Sequence, residues 1–207
     1  MSRPPLCPLG FTDQLVPAGS HICQIYSEDD EQLSSLLGFL ESGLKNGERT
    51  ACFTDKLDEE ALGRHLSERG LSLDRLKETK SLTKAGGREI YLQNDAFEPE
   101  RMLALLRQFY EDSVTEGFSS ARVIGEMIPE VCSAHGGSRL MEYESRVSLQ
   151  MRDYPVTAVC QYNANIFDGG TILQVLKVHP LLVIRGAVVH NPYFIPPEEY
   201  LRQNEAR

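Results

Sequence analysis

The sequence predicts a single three-layer α/β domain with a mostly parallel sheet. Short apolar runs alternate with helix-periodic segments from residue 21 onward, the pattern of parallel strands joined by helical crossovers. No internal repeat or low-complexity linker interrupts the 207 residues, a length that supports one sizeable core. Residues 1–17 read as an extended lead-in, 18–200 as the domain and 201–207 as a polar tail.

Residues 21–26 are the first strand. A helix follows, opened by the acidic run Ser27-Glu28-Asp29-Asp30-Glu31 and marked by Leu33, Leu36, Leu37, Leu40 and Leu44; Asn46-Gly47 ends it. Residues 49–54 form the next strand and 58–69 the next helix, stopped by Gly70. Residues 71–88 are polar and resist placement, while 89–92 read as a short strand. Pro99 opens a long helix carrying Met102, Leu106, Phe109, Tyr110 and Val114, closed by Gly117. Strand 121–127, helix 138–152, strand 157–162 and helix 169–178 continue the alternation. Residues 181–189 are a final apolar run or hairpin, and the Pro-rich stretch from Asn191 to Pro197 wraps back over the surface.

Composition narrows the class. Apolar residues make up 41% and charged residues 25%, ordinary for a globular chain. A net charge of -9 argues against direct nucleic-acid binding, which needs a basic stripe. No apolar run approaches the roughly 20 residues that span a bilayer, and the N-terminal residues carry no signal-peptide core, so a cytoplasmic protein is expected. The five cysteines (Cys7, Cys23, Cys52, Cys132, Cys160) form no CxxC pair, which predicts reduced thiols packed mostly as small core residues.

Two polar signatures break the apolar strands: His21-Ile22-Cys23-Gln24-Ile25-Tyr26 and Cys160-Gln161-Tyr162-Asn163. Burying an unpartnered polar group costs roughly 1–3 kcal/mol, so several of them in one core point to a polar site. Strand alternation puts His21, Cys23 and Ile25 on one face and sends Tyr26 to the other, at the carboxyl edge where open α/β sheets bind ligands. Cys160 and Tyr162 share a face in the same way, with Gln161 and Asn163 opposite. Glu126 ends an apolar strand at that edge. Glu144 falls on the apolar face of its helix with Leu140, Tyr143, Val147 and Met151; such a carboxylate needs a partner, for which Arg122 or Arg185 is available, or a raised pKa. His179 and His190 read most simply as turn or cap residues. The chain has no GxxxxGK[ST] phosphate cradle, no GxGxxG after a strand, no GxSxG and no HExxH. No assembled catalytic set emerges, and the chain is expected not to be an enzyme.

The ordered set of motifs resembles one family. His21-x-Cys23-x-x-Tyr26, Gly43-Leu44-x-x-Gly47-Glu48, Gly125-Glu126-Met127, Glu142-Tyr143-Glu144, Cys160-Gln161-Tyr162, His179-Pro180 and Asn191-Pro192-Tyr193 follow the pattern of the MEDS sensory domain, over about residues 18–200. The resemblance implies a RecA-like or KaiC-like fold lacking the Walker A loop. It also implies a signal-input role sensing small hydrocarbon derivatives. It marks His21, Cys23, Tyr26, Glu126, Glu144, Cys160, Gln161, Tyr162, His179, Asn191 and Tyr193 as signature positions, either ligand-binding or fold-holding. One departure is Ile128-Pro129-Glu130, where the family pattern leads one to expect an aromatic residue.

The leading expectation is a stand-alone sensory domain that binds a small molecule and signals through a partner such as a histidine kinase, an anti-sigma factor or a transcription regulator. No cofactor is required by this reading. Two alternatives stay open: a metal or haem sensor using His21, Cys23, Cys160 and His179, and a degenerate RecA-like nucleotide-binding enzyme with Glu126 or Glu144 as base. The acidic surface and the apolar C-terminal run are compatible with a homodimer.

Overall fold

Alternate residues of each central strand face opposite helical layers. The computed structural model describes residues 4–205. In chain order the sheet and helix elements are β1 (Leu6–Pro8), β2 (Leu15–Pro17), β3 (His21–Tyr26), α1 (Asp29–Lys45), β4 (Arg49–Phe53), α2 (Glu59–Ser67), α3 (Leu73–Glu78), β5 (Leu82–Ala85), α4 (Gly87–Tyr91), β6 (Leu92–Gln93) and β7 (Ala96–Phe97). They continue with α5 (Pro99–Thr115), β8 (Ala121–Glu126), α6 (Glu130–Ser133), α7 (Leu140–Gln150), β9 (Val156–Asn163), α8 (Gly169–Val178), β10 (Leu181–Ile184), β11 (Ala187–His190) and α9 (Pro197–Glu205).

The main sheet has seven strands in the order β11-β10-β3-β9-β8-β4-β5. All neighbours are parallel except β11, which pairs antiparallel with β10. Ile22, Cys52, Ile124 and Val159 pack with Leu36, Phe39 and Leu40 of α1 and Leu62 and Leu66 of α2. On the other face Cys23, Ala158 and Tyr162 pack with Met102 of α5, Tyr143 and Val147 of α7 and Val175 of α8. Helices on both faces explain why these strands are apolar throughout. Asp58 and Asp168 start α2 and α8 by accepting the Ala61 and Thr171 N–H bonds. Asp29, Asp30 and Glu31 in the first turn of α1 suit the positive end of its dipole.

Three segments differ from expectation. Residues 6–17, read as lead-in, pair as the antiparallel strands β1 and β2 and contribute Cys7, Leu9 and Val16 to the core. The uninformative stretch 71–88 contains α3 and the edge strand β5. The strand expected at 89–92 is instead mostly α4, because the run Ile90-Tyr91-Leu92 is too short for periodicity to separate helix from strand. Asn94 and Asp95, both at positive φ, then turn β6 back onto β7 as a tight hairpin.

The Gly43–Glu48 motif is explained by a buried ion pair. Arg122 on β8 is fully buried and pairs with Glu48 through Nε at 2.6 Å and through Nη2. Its Nη1 donates to the Phe39 carbonyl at 3.2 Å, and the guanidinium lies 4.7 Å from the Phe39 ring centre. Gly43 leaves the room: a Cβ there would sit 2.5 Å from Arg122 Cδ. Arg122 is therefore not the partner of Glu144, and neither is Arg185, which lies in the β10–β11 turn at φ 50°.

Candidate functional site

Strand order brings the two polar signatures side by side. β3 and β9 are parallel neighbours, with Cys23 opposite Cys160 and Tyr26 opposite Asn163. The odd positions His21 and Cys23, and the even positions Cys160 and Tyr162, face α7, whose inward side carries Glu144 and, one turn on, Ser148. The end of α8 adds His179.

The result is a buried four-residue cluster. His21 Nε2 lies 3.3 Å from Glu144 Oε2 and 3.4 Å from Cys160 Sγ. Glu144 Oε2 is also 3.6 Å from His179 Nε2 and 3.8 Å from Cys160 Sγ. Tyr162 donates its hydroxyl to Glu144 Oε1 at 2.5 Å. The two imidazole rings are 4.2 Å apart between centres. Each ring is held by its other nitrogen: His179 Nδ1 donates to the Val175 carbonyl at 2.8 Å, and His21 Nδ1 lies 2.9 Å from Ser148 Oγ. Burial alone would raise the Glu144 pKa, but His21, His179 and Tyr162 outweigh it and leave it below the usual carboxylate value. Burial, then the neighbouring His21, lowers His179 to about 4, so its ring stays neutral. Burial, then Glu144, pushes the Cys160 and Tyr162 pKa values well up.

A second cluster sits at the carboxyl edge of the sheet. The helix after β3 lies on one face and the helices after β8 and β9 on the other, and Tyr26, Thr54 and Glu126 are buried at the strand ends between them. Glu126, ending β8, accepts from Tyr26 at 2.5 Å and from Thr54 Oγ1 at 2.8 Å, and faces Lys56 Nζ at 3.1 Å. Lys56 also donates to Tyr26 Oη at 3.0 Å and to Asp29 at 2.5 Å, and lies 4.9 Å above the Tyr26 ring. Burial, then the bond to Glu126, pushes the Tyr26 pKa up to about 12.

Between α5, α7 and the sheet lies a cavity of about 190 Å³. Its wall includes Phe53, Tyr91, Met102, Leu106, Val123 and Cys160, and is predominantly apolar. Cys160 thus belongs both to this cavity and to the His21–Glu144–His179 cluster.

The structure divides the signature residues into groups. His21, Glu144, Cys160, Tyr162 and His179 meet; Cys23, on the same face, is not among the four converging donors, and Glu144 takes the place given to it in the expected metal set. Tyr26 and Glu126 form the edge cluster. Gln161 points to α1, donating to Gln24 Oε1 at 2.8 Å and to the Gln32 carbonyl at 3.1 Å, so it ties that helix to the sheet. Asn191 caps α8 by donating to the Leu176 and His179 carbonyls, and the exposed Tyr193 gives only its N–H to Asn191 Oδ1. Sequence reasoning missed Ser148, Thr54 and Lys56. Ser148 was findable, since it lies four residues after Glu144 on the same helical face; Thr54 and Lys56 carry no periodic signal.

Solved structures share the fold at low identity. The chain is similar to the flagellar accessory protein FlaH from Methanocaldococcus jannaschii, with 12% identity, a TM-score of 0.59, and coverage of 84% of this chain and 76% of that one. It is likewise similar to a KaiC-like protein from Pyrococcus horikoshii OT3, with 12% identity, a TM-score of 0.52, and coverage of 80% and 70%. At this identity the likeness shows a RecA/KaiC-like fold and nothing about activity. No curated protein matches the sequence. The family model described as MEthanogen/methylotroph, DcmR Sensory domain matches residues 20–180. By its seven-stranded fold, its paired polar strands and that match, the chain belongs to the MEDS family of sensory domains.

Proposed function

We propose that this chain is a non-catalytic sensory module that binds a small, mainly apolar molecule and signals by contact with a partner protein. The observation that carries this reading is the apolar cavity of about 190 Å³ with Cys160 in its wall. An apolar cavity of roughly 150 Å³ holds a molecule of benzene size, so the space suits a compact hydrocarbon derivative. Among the lining side chains, Cys160, Tyr91, Tyr143 and Thr83 carry the polar atoms that could orient it. Because Cys160 also touches Glu144 and His21, an occupant would press on the buried cluster that joins α7, α8 and two strands. That is a physical route from ligand to helix position. The output partner is a signalling protein such as a histidine kinase, an anti-sigma factor or a transcription regulator. Among the described residues no helix is long and apolar enough to cross a membrane.

Nucleotide chemistry is disfavoured at the carboxyl edge. Only Ser27 and Glu28 separate β3 from α1, too few to wrap a phosphate chain, and α1 opens with Asp29-Asp30-Glu31. Lys56, the cation nearest that edge cluster, is engaged by Asp29 and Glu126.

Dichloromethane, 1-butanol and benzene are suitable probes for a thermal-shift comparison. At least one is expected to raise the melting temperature of the native chain but not of Ala158→Leu, which fills the cavity from β9. Equal shifts in both proteins, or none in the native chain up to the solubility limit, would overturn the reading.

A further inference from the structure

Four potential metal-ligand atoms converge in the buried cluster, and one of them has no hydrogen-bond partner among the described residues. A backbone carbonyl can only accept, so His179 must carry its proton on Nδ1, and its Nε2 is a bare lone pair. Ser148 Oγ lies 2.9 Å from His21 Nδ1 and 3.5 Å from the Val178 carbonyl, so the hydroxyl holds that ring nitrogen and turns Nε2 toward the cluster. His21 Nε2 faces the same cluster: it donates to Glu144 as an imidazolium and offers a second lone pair once the ring is neutral. Both nitrogens lie beside Glu144 Oε2, at 3.3 and 3.6 Å. Tyr162 spends its proton on the other carboxylate oxygen, and Cys160 Sγ lies 3.4 Å from His21 Nε2. His179 Nε2, fully buried, has no hydrogen-bond partner among the described residues.

A cation would engage all four atoms at once, and the spacing fits one. Four donors bonded at about 2.0–2.3 Å to a tetrahedral ion lie about 3.3–3.8 Å from one another. Four of the donor–donor distances here are 3.3, 3.4, 3.6 and 3.8 Å, and all four atoms lie within 4.8 Å of each other. Each histidine is anchored through its second nitrogen, the arrangement that orients metal ligands. With Cys160 as thiolate and Glu144 as carboxylate, the two negative charges cancel those of a divalent ion, which suits a dry interior. Two nitrogens, a sulfur and an oxygen make a borderline-soft set. Donors this close leave no gap for a porphyrin between them.

We propose that His21 Nε2, Glu144 Oε2, Cys160 Sγ and His179 Nε2 bind one zinc ion, with the Cys160 proton released to solvent as the Zn–S bond forms. Ser148 is a positioning residue that aims His21. With Cys160 also in the cavity wall, the ion would sit directly behind the proposed ligand.

The test is metal binding by the full chain after chelation and dialysis, with no organic ligand present, so that the outcome bears on the ion alone. Zinc alone is added and measured by elemental analysis. Cobalt(II) is added to a second sample, where tetrahedral d–d bands and a sulfur-to-cobalt charge-transfer band are read. One equivalent of either metal is expected. Cys160→Ser should abolish the charge-transfer band, His179→Gln should weaken zinc, and Ser148→Ala should weaken it about 10–100-fold while keeping all four donors. Circular dichroism of each variant separates lost binding from lost fold; should His179→Gln fail to fold, Cys160→Ser and Ser148→Ala still decide the matter. Folded native chain that takes up no metal, or metal bound equally by native and Cys160→Ser chains, would overturn the proposal.

Discussion

Replacing Glu48 with Leu is expected to destabilise the fold by about 3–5 kcal/mol, because it leaves the Arg122 guanidinium buried without a counter-charge. Arg122 is fully enclosed under α1, between Phe39 and Gly43, and cannot turn out to water. Its bond to the Phe39 carbonyl would remain, satisfying one nitrogen but no charge. The double variant Glu48→Leu with Arg122→Met is expected to regain most of the loss, since a buried pair replaced by apolar groups of similar size is often near neutral. Urea unfolding measures both: the midpoint should fall sharply in the single variant, with the slope unchanged, and recover in the double. A single-variant loss below about 1 kcal/mol would mean that the guanidinium reaches solvent, against its placement here.

Glu126→Ala is expected to cost about 2–3 kcal/mol, the scale of lost hydrogen bonds to a charged group. It strips the shared acceptor from Tyr26, Thr54 and Lys56 at once. Lys56 can still pair with Asp29 near the surface, which limits the damage. Tyr26→Phe removes one hydroxyl and should cost about 1 kcal/mol. The same unfolding measurement separates them; equal losses would mean that Tyr26 alone holds the cluster. Both variants should leave the cavity under α5 and its ligand response intact, because neither residue lines it.

The sheet was legible because its strands are buried on both faces and its helices are periodic, so the alternation of β3, α1 and β4 and of β8, α7 and β9 could be read along the chain. The face of each signature residue followed from strand alternation: His21 with Cys23, Cys160 with Tyr162, and Gln161 opposite. Glu144 was correctly placed inward from its helical spacing, but its partners could not be. Arg122 and Glu144 fall on successive elements of the sequence reading, yet they sit on opposite faces of the sheet, and Glu48 comes from the loop before β4. Strand order decides such pairings, and it is a long-range property that local pattern does not carry. The same holds for His179, which looked like a cap and is one, while its ring completes the buried cluster from 35 residues beyond Glu144. Residues 89–92 were misread because four residues cannot establish a period.

The most direct test of the sensory reading is methyl NMR of the full chain labelled at its methionines, titrated with dichloromethane and then with 1-butanol. Met102 lines the cavity, whereas Met127, Met141 and Met151 do not. A saturable shift of the Met102 methyl, with the Met141 and Met151 methyls unmoved, is the predicted result. No saturable shift at Met102 with either probe, or equal shifts at Met102 and Met141, would contradict a small-molecule site beneath α5.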